Sequence, residues 1–366
     1  MDRTALLPQH QAARARLRDS EPPQVLTYGD VPAEYRAALE GCALFDDTDR
    51  GRLEVSGPEA GAFLQRLLAS DVRALEVGLG QRALLLEAKG KVLFDFELYR
   101  SEEQRYVLSV PQGRAGALRA ALERYHFSEK LAFAERSADY APLVVLGPAS
   151  DALVERTLGC TPPAEEYRWA SGSFGGASVL VARTRYAGSR AIRLVATPEL
   201  APALWNALRA AGAAPSGLVV RDILRVEAGA ALWGEDLDET VYPQEARLED
   251  AFSLAKGCYI GQEVVAKIDT YGGLNKRLVA LKLSHDDPVA RGTRLYRLDE
   301  GEWRDLGVVT SWAYSFVLDT GLVLAYVKRR HQQVGTEFRV GDGPARAVVV
   351  PLPVRAGALP VSGAFE

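Results

Sequence analysis

A chain of 366 residues is longer than a single hydrophobic core usually grows, so two or three cores are expected. Hydrophobic residues at 48% and charged residues at 25% are close to globular averages, and a net charge of -4 argues against a surface built mainly to neutralise a phosphate backbone or bind nucleic acid directly. Three cysteines, Cys42, Cys160 and Cys258, stand apart with no Cys-x-x-Cys and no clustered histidines, so no resident metal site is expected.

Residues 1–20 carry Asp2, Arg3, Arg14, Arg16, Arg18 and Asp19, which leaves no continuous apolar stretch for a secretory signal or membrane span; a cytoplasmic protein is expected. A short strand around Leu53 and Val55 leads into Ser56-Gly57-Pro58, a helix start with proline just inside. Ala60, Phe63, Leu64, Leu67 and Leu68 then follow the spacing of one buried helical stripe. The runs 83–87 and 92–99, joined by Ala88-Lys89-Gly90-Lys91, read as a hairpin. Side chains alternate along a strand, so Leu93, Asp95, Glu97 and Tyr99 share one face of the second arm.

A further strand is expected at 106–110, and a helix at 117–125 with Leu118, Leu122 and Tyr125 on its buried stripe. A second unit begins near 143–146. It continues through a helix after Gly147-Pro148, strands near 178–182 and 191–195, and a helix opened by Thr197-Pro198 and closed by Gly212. From Leu278 onward the texture changes to short apolar runs between turn residues, at 279–284, 293–297, 307–311, 322–327, 336–340 and 345–352. This is the pattern of a small barrel or sandwich, with a boundary at about 272–277. The fold class is α+β with a C-terminal β-barrel.

Four places carry candidate chemistry. Asp95 and Tyr99 look the same way from one strand. Arg183-Thr184-Arg185-Tyr186-Ala187-Gly188 reads as a turn whose Tyr186 either stacks on an aromatic ligand or covers the hairpin end. Glu227 occupies an apolar-stripe position with Val220, Ile223 and Leu224, so its carboxylate needs a cation or several donors. Arg221 and Arg225 are local choices, and a ligand ring edge with adjacent N–H groups is another. Finally, Lys256-Gly257-Cys258-Tyr259-Ile260-Gly261-Gln262-Glu263 places Cys258 just ahead of a helix start and beside Lys256, a setting that favours a thiolate; the alternative is a small buried apolar residue. No phosphate-binding Gly-x-x-x-x-Gly-Lys-Ser/Thr, Gly-x-Gly-x-x-Gly, His-Glu-x-x-His or Gly-x-Ser-x-Gly is present.

The Lys-Gly-Cys-Tyr-x-Gly-Gln-Glu loop resembles the signature of the YgfZ family, folate-binding proteins of bacteria and mitochondria that assist iron–sulfur cluster assembly or repair. From about Tyr35 to Val354 the chain is also similar to the glycine-cleavage T-protein, an aminomethyltransferase. The similarity runs through Leu53-Glu54-Val55-Ser56-Gly57-Pro58-Glu59-Ala60, Lys89-Gly90-Lys91-Val92, Leu224-Arg225-Val226-Glu227-Ala228-Gly229 and Gly307-Val308-Val309-Thr310-Ser311. The resemblance implies a three-domain arrangement: two α+β modules at about 30–140 and 141–275 around a central folate site, then a barrel at 276–358.

It also implies tetrahydrofolate or a one-carbon derivative as the bound cofactor, with Asp95 beside the reactive folate nitrogens and Tyr99 lining the site. Tyr186 would lie in the family's turn, Glu227 on the pterin edge and Lys256 near the folate tail. Three positions depart from the T-protein pattern: Phe94 precedes Asp95, Ser189 stands where a glutamate is usual, and Arg82 where a tyrosine is. The leading expectation is a tetrahydrofolate-binding protein that uses Cys258 to support iron–sulfur client proteins or assembly factors, and with them tRNA modification. The alternatives are a folate-dependent aminomethyltransferase, with Asp95 assisting proton transfer, and a non-catalytic folate-binding scaffold.

Overall fold

The computed structural model describes residues 5–360 apart from Asp49, Gln112 and Glu300. Contacts divide the chain into two compact units: Met1–Ala83, Phe96–Tyr186 and Arg190–Arg221 form one, and Leu84–Asp95, Ala187–Ser189 and Asp222–Glu366 the other.

Most of two sheets belongs to the first unit. One has five strands in the order Gly80–Leu86, Val92–Glu102, Arg105–Val110, Gly51–Ser56 and Ala132–Glu135. The apolar stripe read from the sequence becomes the helix Ala60–Leu67, burying Ala60, Phe63, Leu64 and Leu67. The helix Ala115–Glu123 buries Leu118 and Leu122, but it ends before Tyr125, which is 38% exposed and does not join the stripe.

The second sheet has six strands: Trp169–Phe174, Ala177–Tyr186, Ser189–Ala196, Ala141–Leu146, Ala43–Asp46 and Ala214–Pro215. The helices Ser150–Leu158 and Ala201–Ala210 bring Leu153, Val154, Leu204 and Trp205 into a core with Leu143, Val145, Ile192 and Leu194. Two differences from the sequence reading matter. The expected turn at 183–188 shrinks to Ala187 and Gly188, because both adopt positive φ (50° and 70°) and a two-residue turn of that hand closes a hairpin tightly. Tyr186 is therefore a strand residue. The strand Trp169–Phe174, absent from the sequence reading, pairs with Ala177–Tyr186 across Gly175-Gly176, whose φ values of 58° and 82° build the same kind of turn.

The second unit holds the barrel. Its six strands, Lys276–Leu283, Arg294–Asp299, Glu302–Ser315, Thr320–Lys328, Glu337–Val340 and Arg346–Val350, close on themselves. Each follows one of the short runs legible in the sequence, and alternation sends Val279, Leu281, Val323, Ala325, Val327 and Phe338 into one core.

The helix Gln262–Tyr271 is preceded by Gly261 at φ +78°, and a Cβ added there would lie 2.5 Å from the Glu87 carbonyl oxygen. Only a residue without a side chain fits this approach of the cysteine loop to the 87–91 turn. Gly261→Ala is expected to cost about 1–3 kcal/mol, from left-handed backbone strain and the forced shift of Glu87. Comparing thermal melting of the variant and the wild type checks this, with Gly257→Ala as control: it shares the positive φ, but nothing lies within 4 Å of the added Cβ.

Candidate functional site

The first unit opens a cleft lined by strands of both of its sheets. Its walls are mainly apolar, from Val107, Leu180, Ala182 and Val195, with the rings of Tyr99, Tyr140 and Trp169. Arg50 and Arg52 also line it, with side chains 20% and 19% exposed. The Arg52 guanidinium stands 3.8 Å from the Tyr140 ring centroid while donating to Glu54 at 2.7 Å. Apolar walls with a few placed polar groups are what a small-molecule site requires.

Beside the cleft lies a buried charged cluster. Arg193, from the strand Ser189–Ala196, donates to Glu97 and, through Nε, to Asp47 Oδ2 at 3.0 Å. Glu97 also accepts from Thr184 Oγ1 at 3.0 Å and from the Tyr99 hydroxyl at 3.0 Å, and Arg50 lies 3.7 Å away. Burial alone would raise the Glu97 carboxyl, but the Arg193 and Arg50 guanidiniums and the hydrogen bonds outweigh it and hold the group down at about 2. Burial, followed by the Glu97 charge, pushes the Tyr99 phenol well above its ordinary value. Tyr99 is therefore a fixed hydrogen-bond donor with an apolar ring, ill suited to act as a base.

Of the residues singled out from sequence, Tyr99 lines this cleft. Tyr186 does not. It is buried, its ring 5.1 Å from that of Phe45, and it borders a separate crevice with Thr48, Ser216 and Gly217. The rest of its run is used in the same way by the fold: Arg183 grips Asp151 with two bonds of 2.8 and 2.9 Å, and Arg185 holds Glu166 at 2.8 Å. Asp95 is half-buried, two residues before Glu97 on the same strand face.

Glu227 is fully buried, and its partners come from the protein. Ser315 Oγ donates to it at 2.7 Å, the Val317 N–H lies at 3.4 Å, and Arg355 completes an ion pair at 3.7 Å. Arg225 is turned instead toward Asp222 and Asp236, so the local pairing considered for Glu227 is replaced by one distant in sequence. Arg355 also donates to Ser189 Oγ at 2.6 Å, which ties the serine at the usual glutamate position into the same group.

In the cysteine loop the buried side chain is Tyr259, and Cys258 is exposed, so the reading of Cys258 as a buried apolar residue does not hold. Burial, then the nearby Asp269 charge, pushes the Tyr259 phenol up to about 12. The Lys256 ammonium lies 5.3 Å from the Tyr259 ring centroid. Among the described residues, no three His, Cys, Asp or Glu side chains gather as a metal site, and no helix is long and apolar enough to cross a membrane.

Sequence reasoning did not single out Arg50, Trp169 or the Glu97–Arg193 pair. A signal existed for the pair. Arg193 interrupts the apolar run Ala191-Ile192-Arg193-Leu194-Val195, a charge in a buried strand, which is the same kind of anomaly that drew attention to Glu227.

The chain matches the GCVT N-terminal domain over residues 13–256 and the glycine cleavage T-protein C-terminal barrel domain over residues 276–354. It is 34% identical over 361 residues to an aminomethyltransferase of Rubrobacter xylanophilus, covering 96% of this chain and 93% of the relative. An aminomethyltransferase of Saccharopolyspora erythraea is 32% identical over 335 residues, covering 90% and 89%. Among solved structures, the glycine cleavage system aminomethyltransferase T from Bartonella henselae superposes with a TM-score of 0.86 at 26% identity, covering 98% of this chain and 99% of that one. The mixed α+β elements and six-stranded C-terminal barrel expected from the sequence are those of this fold.

Glu97→Gln is expected to cost on the order of 3 kcal/mol at pH 7, since Arg193 loses a buried counter-charge. The folded carboxyl titrates at about 2, below its ordinary 4.5, so its contribution is complete above pH 4.5 and disappears as pH falls toward 2. The gap between wild type and variant should therefore narrow over that range. Urea denaturation at pH 7, 4 and 2.5 checks this, and a gap independent of pH would refute it.

Proposed function

Because the chain belongs to the glycine cleavage T-protein family, we propose that it binds a reduced folate in the cleft of its first unit and acts on the one-carbon group that the folate carries. The observation that carries this reading is the cleft itself. Val107, Leu180, Tyr99 and Trp169 offer apolar walls and ring faces for a flat heterocycle, and the Arg50 and Arg52 guanidiniums, paired with Glu97 and Glu54, are the cations that line the same cleft for an anionic tail. These residues fit the vitamin's two chemical halves. When bound, tetrahydrofolate supplies the nitrogens that accept or release the one-carbon unit.

Within this reading the chain's residues hold the ligand and handle protons. Glu97 and Arg193 neutralise each other and fix the Tyr99 ring, so the cleft floor is rigid without offering a free charge. The family resemblance nominates Asp95 for proton transfer at a folate nitrogen; it lies two residues before Glu97 on the same strand face and is not among the residues that line the cleft. Glu227 accepts from Ser315 and is ion-paired with Arg355, and we assign it to the fold and not to the pterin. Aminomethyl transfer is the activity named for the relatives, and it is the reaction class this reading favours.

A second reading follows from the exposed Cys258. Its neighbours are anchored, Tyr259 by burial and Gly261 by its approach to Glu87, so the thiol is presented from a fixed loop. That suits a folate-binding protein of the YgfZ kind, in which a presented thiol serves iron–sulfur client proteins.

A titration with tetrahydrofolate should give saturable binding that weakens at least tenfold in Trp169→Ala and in Arg50→Ala and is unchanged in Cys258→Ser. Turnover with an aminomethylated lipoyl carrier, lost in Asp95→Asn and kept in Cys258→Ser, supports transfer. Absence of turnover at saturating folate, with failure of Cys258→Ser to restore client enzymes in a deletion strain, supports the thiol reading. Absence of folate binding by the wild type overturns both.

A further inference from the structure

The barrel is closed, but one of its seams is short. Arg294–Asp299 joins Glu337–Val340 through two facing pairs, Leu295 with Val340 and Tyr296 with Arg339. The strand then runs on through Arg297, Leu298 and Asp299, which face Arg304, Trp303 and Glu302 on their other side only. On the seam side the Arg294 carbonyl accepts from the Gly341 N–H at 2.8 Å, and the side to which a strand residue bonds alternates along the strand. Arg297 thus bonds toward Arg304, and Leu298 turns its N–H and C=O outward, to the open edge. Unpaired strand edges of this kind are templates for another chain.

The concavity along this edge has a distinct lining. Leu298, Trp303 and Val334, which border it, are 55%, 51% and 55% exposed. Its carboxylates are answered locally, Asp299 by Arg304 at 3.2 Å and Glu337 by Arg346 at 4.0 Å. Arg297 and Arg330, in contrast, have no carboxylate partner among the described residues, and Lys328 lies close by in sequence. Arg339 stacks over Trp303 at 4.3 Å, and its Nε–H is buried without an acceptor. Residues 276–354 hold 12 Lys and Arg against 9 Asp and Glu, a balance of +3 in a chain whose net charge is -4. Burial, then Arg297, pushes His331 on the same surface below its ordinary value.

We propose that this seam is a docking groove for an acidic, extended peptide segment of a partner protein. The segment adds its backbone to the edge at Leu298, lays apolar side chains on Leu298, Trp303 and Val334, and directs carboxylates to Arg297 and Arg330. A single-stranded nucleic acid would use the same cations, but it needs an open ring face for stacking. Arg339 covers one face of Trp303, and the aliphatic neighbours and strand edge match a peptide better. The groove lies wholly within the second unit, and the inference does not depend on folate binding.

The test uses the full chain and a fluorescein-labelled octapeptide of alternating Glu and Val, read by anisotropy. Saturable binding is expected, at least tenfold weaker in Arg330→Glu and in Trp303→Ala, each checked for unchanged melting. The same peptide N-methylated at every valine should also bind at least tenfold weaker, because it cannot extend the strand. No saturable binding, equal binding by the N-methylated peptide, or tighter binding of octauridylate would each overturn the proposal.

Discussion

The first unit depends on one buried ion pair. Arg193 and Glu97 belong to different sheets, the six-stranded and the five-stranded, and their contact joins residues 96 positions apart. Neither charge is tolerable alone in that interior. Together, with Asp47, Thr184 and the Tyr99 hydroxyl taking up the remaining bonding capacity, they form a polar junction inside apolar surroundings. The cleft is a by-product of that junction. The Glu97–Arg193 group links the two sheets, and beside it Val107, Leu180 and Trp169 line the cleft.

The second unit repeats the principle with another carboxylate. Glu227, from the helix Leu218–Ala228, is held by Ser315 of the barrel and by Arg355 beyond its last strand, and Arg355 reaches Ser189 as well. The neighbouring Arg225 is committed to Asp222, Asp236 and Ser311, so the helix is bonded to the barrel by both of its buried charges. This arrangement gives the buried Glu227 carboxylate its partners from the protein. It also explains how a serine at position 189 is useful: it takes a hydrogen bond from an arginine whose charge is already answered by Glu227.

Exposure separates the presented side chains of the loops from the anchoring ones. In the cysteine loop the anchor is Tyr259 and the presented group is the Cys258 thiol. In the barrel the interior is apolar and closed, whereas the outward face near Trp303 keeps large apolar side chains exposed beside Arg297 and Arg330, which have no carboxylate partner among the described residues. Exposed apolar area next to uncompensated charge costs solubility and gives nothing to folding, which is why such a surface points to a partner.

The sequence alone determined the class and many of the elements, though not the strand Trp169–Phe174. Period-3.6 stripes marked the helix Ala60–Leu67, and short alternating runs marked all six barrel strands, because burial patterns repeat with the local geometry of each element. It also showed that Glu227 needed buried donors. It could not say which donors, since Ser315 lies 88 residues away and Arg225 stood closer in the chain. The tertiary structure decided every pairing of that kind: Glu97 with Arg193, Glu227 with Arg355, Tyr186 on Phe45, Cys258 outward and Tyr259 inward. Local periodicity is set by bonds between neighbours in the chain. The choice among buried partners is set by which strands and helices pack together, and that information is spread over the whole fold.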